Sequence, residues 1–181
     1  MRICIVADPY IPVPPRTYGG IERVIAFLVA GLVVRGHRVT LVAASAAFLK
    51  RLSRRFDLVL NFGRLAALLP LLPTRIPKLQ SYQREITPGS VRWGTLLARG
   101  SLLFTSCSDS LRGEVSHLGR WTTVYNGAPA GRFVYRDHVK EDAPLVLLGR
   151  LERIKGVHTA ITVARRTGRR LVIAGNVPEA H

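Results

Sequence analysis

The chain has 181 residues, 48% of them hydrophobic and 7% aromatic, with a formal net charge of +16. That length and apolar content exclude global disorder and suffice for one domain, or one domain with part of another. The two cysteines, Cys4 and Cys107, sit in apolar stretches, which excludes a disulfide framework and reads as buried thiols in a reducing compartment.

Taken in chain order, apolar runs and helical patterns alternate, the signature of a parallel sheet covered by helices. Arg2 to Ala7 is the first strand; the apolar run stops at Asp8 and no cleavage site follows, so it does not read as a signal peptide. A loop with Pro9, Pro12, Pro14 and Pro15 leads to Gly19-Gly20. A helix is expected from Ile21 to Arg35, closed by Gly36. Its apolar stretch, Val24 to Val34, is too short to span a bilayer and reads as a buried helix. A strand at Arg38 to Ala43, a short basic helix at Ala46 to Arg55 and a strand at Asp57 to Asn61 follow.

The pattern then predicts a helix over Arg64 to Leu72, a strand over Pro77 to Ser81 and a polar loop over Tyr82 to Ser90. A helix at Val91 to Arg99 is weakened by Gly94. A strand, Ser101 to Ser106, and a helix, Ser108 to Leu118, come next, with Ser108 or Asp109 as N-cap. Trp121 to Tyr125 is the last strand of this unit, and Asn126-Gly127-Ala128-Pro129 is a turn. The expected organisation is a Rossmann-like, doubly wound parallel sheet over residues 1–128, a polar aperiodic linker over 129–142, and the start of a second α/β unit over 143–181. That second unit gives a strand at Ala143 to Leu148, a helix at Val157 to Thr167 and a strand at Arg170 to Gly175, and is expected to be incomplete at His181.

Two motifs carry chemistry. Tyr18-Gly19-Gly20-Ile21-Glu22-Arg23 puts paired glycines between a strand and its helix, where backbone can approach a ligand at a helix N-terminus. The G-x-G-x-x-G dinucleotide spacing is absent. Gly149-Arg150-Leu151-Glu152-Arg153-Ile154-Lys155-Gly156 is a strand, a glycine turn and a helix start, with Arg150 on the turn and Lys155 at the helix start. Converging cations beside backbone N–H groups suit a diphosphate better than a single carboxylate. The competing reading is a solvated helix start with a Glu152–Lys155 surface contact. Each motif follows the first strand of its own α/β unit, where open parallel sheets bind ligands, so two facing units would set Gly19-Gly20 across a cleft from Arg150 and Lys155.

These two motifs, together with Arg35-Gly36-His37-Arg38-Val39-Thr40-Leu41, Asn126-Gly127 and Ser81-Tyr82-Gln83-Arg84-Glu85, make the chain resemble the family 4 glycosyltransferases of the GT-B fold. The resemblance implies a retaining sugar transferase, with the 181-residue chain alone expected to be inactive because its donor-binding unit is incomplete. Its first unit, the N-terminal domain of that fold, would hold the acceptor. Its second would hold a nucleotide-sugar co-substrate such as a UDP- or GDP-sugar, with no other cofactor and no catalytic metal. Arg150 and Lys155 would grip the donor diphosphate with Gly19 and Gly20, while Tyr18, Glu22, Arg23, Gln83, Arg84, Glu85 and Asn126 would position acceptor or sugar. The resemblance names no catalytic residue here. The late pair of glutamates eight positions apart that family members carry has no counterpart, since Glu179 is the only carboxylate after Lys155. Gln83 stands where many members place a histidine, and a glutamine can hydrogen-bond a sugar but cannot act as a general acid or base.

The high positive charge has three readings: an anionic ligand or nucleic acid, an anionic membrane surface, or a solvated arginine-rich face. The basic residues are scattered in small clusters such as Arg54-Arg55 and Arg169-Arg170 without aromatic interleaving, so no nucleic-acid partner is expected. The expected partners are a nucleotide-sugar, a sugar, lipid or glycan acceptor, a second copy of the chain through the incomplete unit, and the inner face of a membrane beside a cytoplasmic location. The second hypothesis is a non-catalytic, anion- or membrane-binding half-transferase. No histidine or cysteine spacing suggests a metal site.

Overall fold

The computed structural model describes residues 1–16, 19–43, 55–128, 130–132 and 134–176. Two compact units are present, Met1–Ala128 and Pro129–His181. Tyr18 and most of the basic helix expected at Ala46 to Arg55 lie outside the described residues.

The first unit is an α/β, Rossmann-like fold. Its strands are β1 (Arg2–Val6), β2 (Arg38–Val42), β3 (Leu58–Asn61), β4 (Lys78–Tyr82), β5 (Leu102–Ser106) and β6 (Trp121–Thr123), joined in one parallel sheet of order β2-β1-β3-β4-β5-β6. Ile3 pairs with Val39 on one side and Leu58 on the other, so β1 is central and the chain departs from it in both directions. Ile3, Cys4, Ile5 and Val6 are all buried, because helices or turns cover both faces of this strand. Burial pushes the Cys4 thiol up to about 11, which makes it an inert packing group.

Helix α1 (Gly20–Val34) packs through Ile21, Ile25, Leu28, Val29 and Leu32 on Ile3, Ile5 and Leu60. The sequence predicts it buried, yet only Glu22 and Ile25 are, and Phe27, Val33 and Val34 are exposed. One face of the helix meets the sheet and the opposite face is left open.

The other sheet face carries the larger core. Leu68, Leu71, Leu72, Val91 and Phe104 are buried to 1% exposure or less, each contributing about 1.5–3 kcal/mol of transfer free energy. Helix α2 (Pro88–Ala98) turns Val91, Gly94 and Ala98 inward. Gly94 is needed there, since a methyl at that position would stand 2.8 Å from Leu65 Cδ2. The polar loop expected to reach Ser90 therefore ends earlier, with Pro88 opening the helix where its missing N–H costs nothing.

Two expected helices are shortened. Leu65–Leu71 is 3-10, with Pro70 inside it unable to donate to an α-helical ladder. The helix expected over Ser108 to Leu118 is one turn, α3 (Asp109–Arg112), then a 3-10 turn, Gly113–Val115. Ser108 is the N-cap, its Oγ accepting from Leu111 N at 3.1 Å, which leaves the Asp109 carboxylate free for other partners.

The second unit, described by itself, pairs β7 (Leu145–Leu148) with β8 (Leu171–Ala174) in parallel and packs α4 (Val157–Thr167) on them. Val146, Leu148, Val172 and Ile173 are exposed on this two-stranded sheet. The expected linker contains a 3-10 turn at Ala130–Arg132.

Candidate functional site

In open parallel sheets, ligands bind beyond the carboxyl ends of the strands where the strand order reverses. Here that point lies between β1 and β3, and a groove of about 420 Å³ occupies it. Its lining comes from Asp8, Tyr10 and Ile11 after β1, Ile21 and Glu22 in α1, Phe62, Gly63 and Arg64 after β3, and Ser81 to Glu85 at the end of β4. Three carboxylates and two guanidinium groups thus face apolar and aromatic side chains, a mixture that suits a polar, hydroxyl-rich ligand with an apolar face.

The floor of the groove is rigid for a specific reason. Asn61 and Gln80 are fully buried side by side on β3 and β4, with Asn61 Nδ2 donating to Gln80 Oε1 at 2.6 Å. Asn61 Nδ2 also reaches the Arg64 carbonyl at 3.0 Å, Asn61 Oδ1 accepts from Gly63 N at 3.2 Å, and Gln80 Nε2 donates to the Gly63 carbonyl at 3.0 Å. These bonds fix the Phe62 to Arg64 turn.

Gly19 and Gly20 precede α1 and differ in purpose. A methyl on Gly19 would stand 2.6 Å from Pro15 Cβ and 3.0 Å from Glu22 Oε2, so the proline loop closes down on this residue. A methyl on Gly20 would meet nothing within 4 Å. Glu22 is 4% exposed in the first turn of α1, where the positive end of the helix favours a carboxylate. Arg23 is exposed and does not line the groove.

Gln83, Arg84 and Glu85 line the groove. Gln83 is tied at both ends: its Nε2 donates to Ser81 Oγ at 3.0 Å, and its Oε1 accepts from Asn126 Nδ2 at 2.7 Å. Asn126 therefore reaches the site through Gln83. Beside it, Asp109 accepts from Thr123 Oγ1 at 2.5 Å and from Tyr125 OH at 2.8 Å, and pairs with Arg112 at 2.9 Å. These bonds hold its carboxyl below the usual range, the Thr123 contact contributing most. Tyr82 stacks at 6.1 Å on Phe104 and 5.9 Å on Trp121, and burial raises its phenol.

Sequence reasoning missed Asp8, Tyr10, Phe62, Gly63, Arg64 and Tyr82. The signal was available for some of them: Phe62 to Arg64 directly follow a central strand, and its carboxyl end is where such sheets bind.

In the second unit, the loop after β7 is braced from β8: Gly149 N donates to Ala174 O at 3.0 Å and Leu151 N to Asn176 O at 3.1 Å. A methyl on Gly175 would collide with the Gly149 carbonyl, so the two backbones touch. Arg150 Nη1 pairs with Glu152 Oε1 at 2.6 Å. Glu152 meets Lys155 through the main chain only, its carbonyl accepting from Lys155 N at 3.0 Å. Lys155 does not open the helix as expected. It ends a single 3-10 turn, Arg153–Lys155, and Gly156, left-handed at φ 73°, separates it from α4. No side chain caps the α4 N-terminus, so its first N–H groups lack a side-chain acceptor.

No family model and no curated protein matches the chain. Several solved structures match the chain. The chain is similar to AviGT4, a glycosyltransferase involved in avilamycin A biosynthesis. The similarity has a TM-score of 0.63 and 26% identity over 98% of this chain, and it spans 58% of AviGT4. The likeness to AviGT4 supports a glycosyltransferase fold. Among the described residues, no group of three or more His, Cys, Asp or Glu side chains is placed to hold a metal ion, and no helix is long and apolar enough to cross a membrane.

Proposed function

We propose that this chain takes part in retaining glycosyl transfer from a nucleotide-sugar donor to a hydroxyl-bearing acceptor. The observation that carries the reading is the groove at the strand-order reversal in a chain similar to a glycosyltransferase over nearly its whole length. In this reading Arg150 and Lys155 neutralise the donor diphosphate as the bond from the sugar to its phosphate breaks, assisted by the open N–H groups at the start of α4. The groove takes the acceptor: Glu22, Gln83, Arg84 and Glu85 supply hydrogen bonds, and Asn126 fixes the rotamer of Gln83. Gly20, exposed at the first position of α1, leaves its backbone open to a ligand, while Gly19 lets the proline loop close down beside it.

The experiment is transfer and donor hydrolysis with a panel of UDP- and GDP-sugars, with product configuration read by NMR. Transfer with retention, reduced about a hundredfold or more in Arg150→Ala and Lys155→Ala, supports the reading. Transfer unchanged by both substitutions removes the diphosphate assignment. Donor binding without any transfer favours a non-catalytic role instead.

A further inference from the structure

The inward face of α2, Val91, Gly94 and Ala98, is buried against Leu65, Leu102 and Phe104. Its outward face is apolar as well: Trp93 is 63% exposed, Leu96 65% and Leu97 40%. Their spacing puts the three on one stripe. A water-facing helix normally carries charges along such a stripe.

The charges on the helix itself and on its C-cap have one sign. Helix α2 contains no acidic residue, and exposed Arg92 and Arg99 flank the stripe. Arg99 is in the left-handed region at φ 48°, the one described residue other than glycine with positive φ. A glycine would adopt that conformation without strain, so the basic side chain at this position carries a backbone cost.

We propose that the outer face of α2 docks on an anionic lipid bilayer, with Trp93, Leu96 and Leu97 entering the headgroup region and Arg92 and Arg99 meeting lipid phosphates. Tryptophan is favoured at that depth, and arginine extends its charge to the headgroups while its stem lies along apolar surface. The occupant is a membrane and not a second copy, because two chains of +16 repel each other while the same charge draws each to an anionic surface. This inference stands independently of the sugar-transfer reading.

The test is co-sedimentation of the full chain with vesicles of phosphatidylglycerol and phosphatidylcholine, against phosphatidylcholine alone, at low and high salt. Binding to the anionic vesicles that weakens with salt, together with a blue-shifted emission quenched by brominated lipid, is expected. Trp93→Phe should lose the emission change and keep binding. Combined Trp93→Ser, Leu96→Ser and Leu97→Ser should lower partitioning by about tenfold or more, and Arg99→Gly should lower it while leaving or raising thermal stability. Three results overturn the proposal: no sedimentation with anionic vesicles at low salt, equal binding by the triple variant, or an unquenched Trp93 in the bound state. Dimerisation abolished by the triple variant, without vesicle binding, would assign the face to a second copy and overturn it equally.

Discussion

Asn61 and Gln80 share a 2.6 Å hydrogen bond in a wholly buried position, and together they hold the Gly63 carbonyl that shapes the groove. A buried amide left without its partner costs about 1–3 kcal/mol. Asn61→Leu and Gln80→Leu should each destabilise the first unit by that amount in urea titration. The double variant should cost less than the sum, by about 1 kcal/mol, because neither amide is then stranded. Strict additivity would show that the two act separately.

The paired glycines should separate cleanly. Gly19→Ala forces a methyl against Pro15 and should cost about 1–3 kcal/mol in thermal unfolding. Gly20→Ala meets open space at the first position of α1 and should be neutral or stabilising by up to about 1 kcal/mol. If Gly20 approaches the donor, its alanine variant nonetheless binds nucleotide-sugar several-fold more weakly in calorimetry. Unchanged donor affinity would leave Gly20 with a backbone role only.

Glu152 holds Arg150 at 2.6 Å, so a diphosphate bound by Arg150 as proposed would have to compete with it for the guanidinium. Glu152→Gln removes a negative charge from that site and keeps the side-chain shape. It should tighten donor binding a few-fold at low salt, less at high salt. Weaker binding would mean that Glu152 orients Arg150 for the donor instead of competing with it.

Lys78 is 1% exposed, and its ammonium donates to the Thr74 and Ile76 carbonyls at 2.9 and 2.7 Å. Burial lowers its pKa from 10.5 to about 8. Between those values the unfolded chain binds more protons than the folded one, so stability rises with pH across the window, by at most about 3 kcal/mol. Below about pH 8 both states are protonated and this group contributes no slope. Lys78→Met should remove the alkaline rise in chemical denaturation; a rise that persists would have to come from other groups.

Much of the fold was legible because apolar runs and helical periods alternate so regularly from Arg2 to Thr123. The strand β4 shows where that reading fails. Lys78 and Gln80 alternate with Leu79 and Ser81, a pattern that points the polar pair to water, yet Lys78 and Gln80 are the buried ones. A parallel strand covered on both faces can bury a polar side chain whose donors meet fixed carbonyls or a partner amide, and no periodicity announces those partners. The motif Ser81 to Glu85 was readable as a block, but that Asn126 reaches the groove through Gln83 depends on β6 lying two places from β4. At the second unit, Gly156 was visible in sequence, while its left-handed break between Lys155 and α4 follows from backbone geometry alone.

The central place of β1 also bears on synthesis. Both of its hydrogen-bonding edges are closed by strands made later, β2 by residue 42 and β3 by residue 61. At roughly 5–20 residues per second, the apolar Ile3 to Val6 segment waits several seconds for its second neighbour to leave the ribosome. During that interval the most deeply buried strand of the finished unit is its most exposed, and a nascent-chain chaperone would find its binding site at the very residues that the native sheet hides.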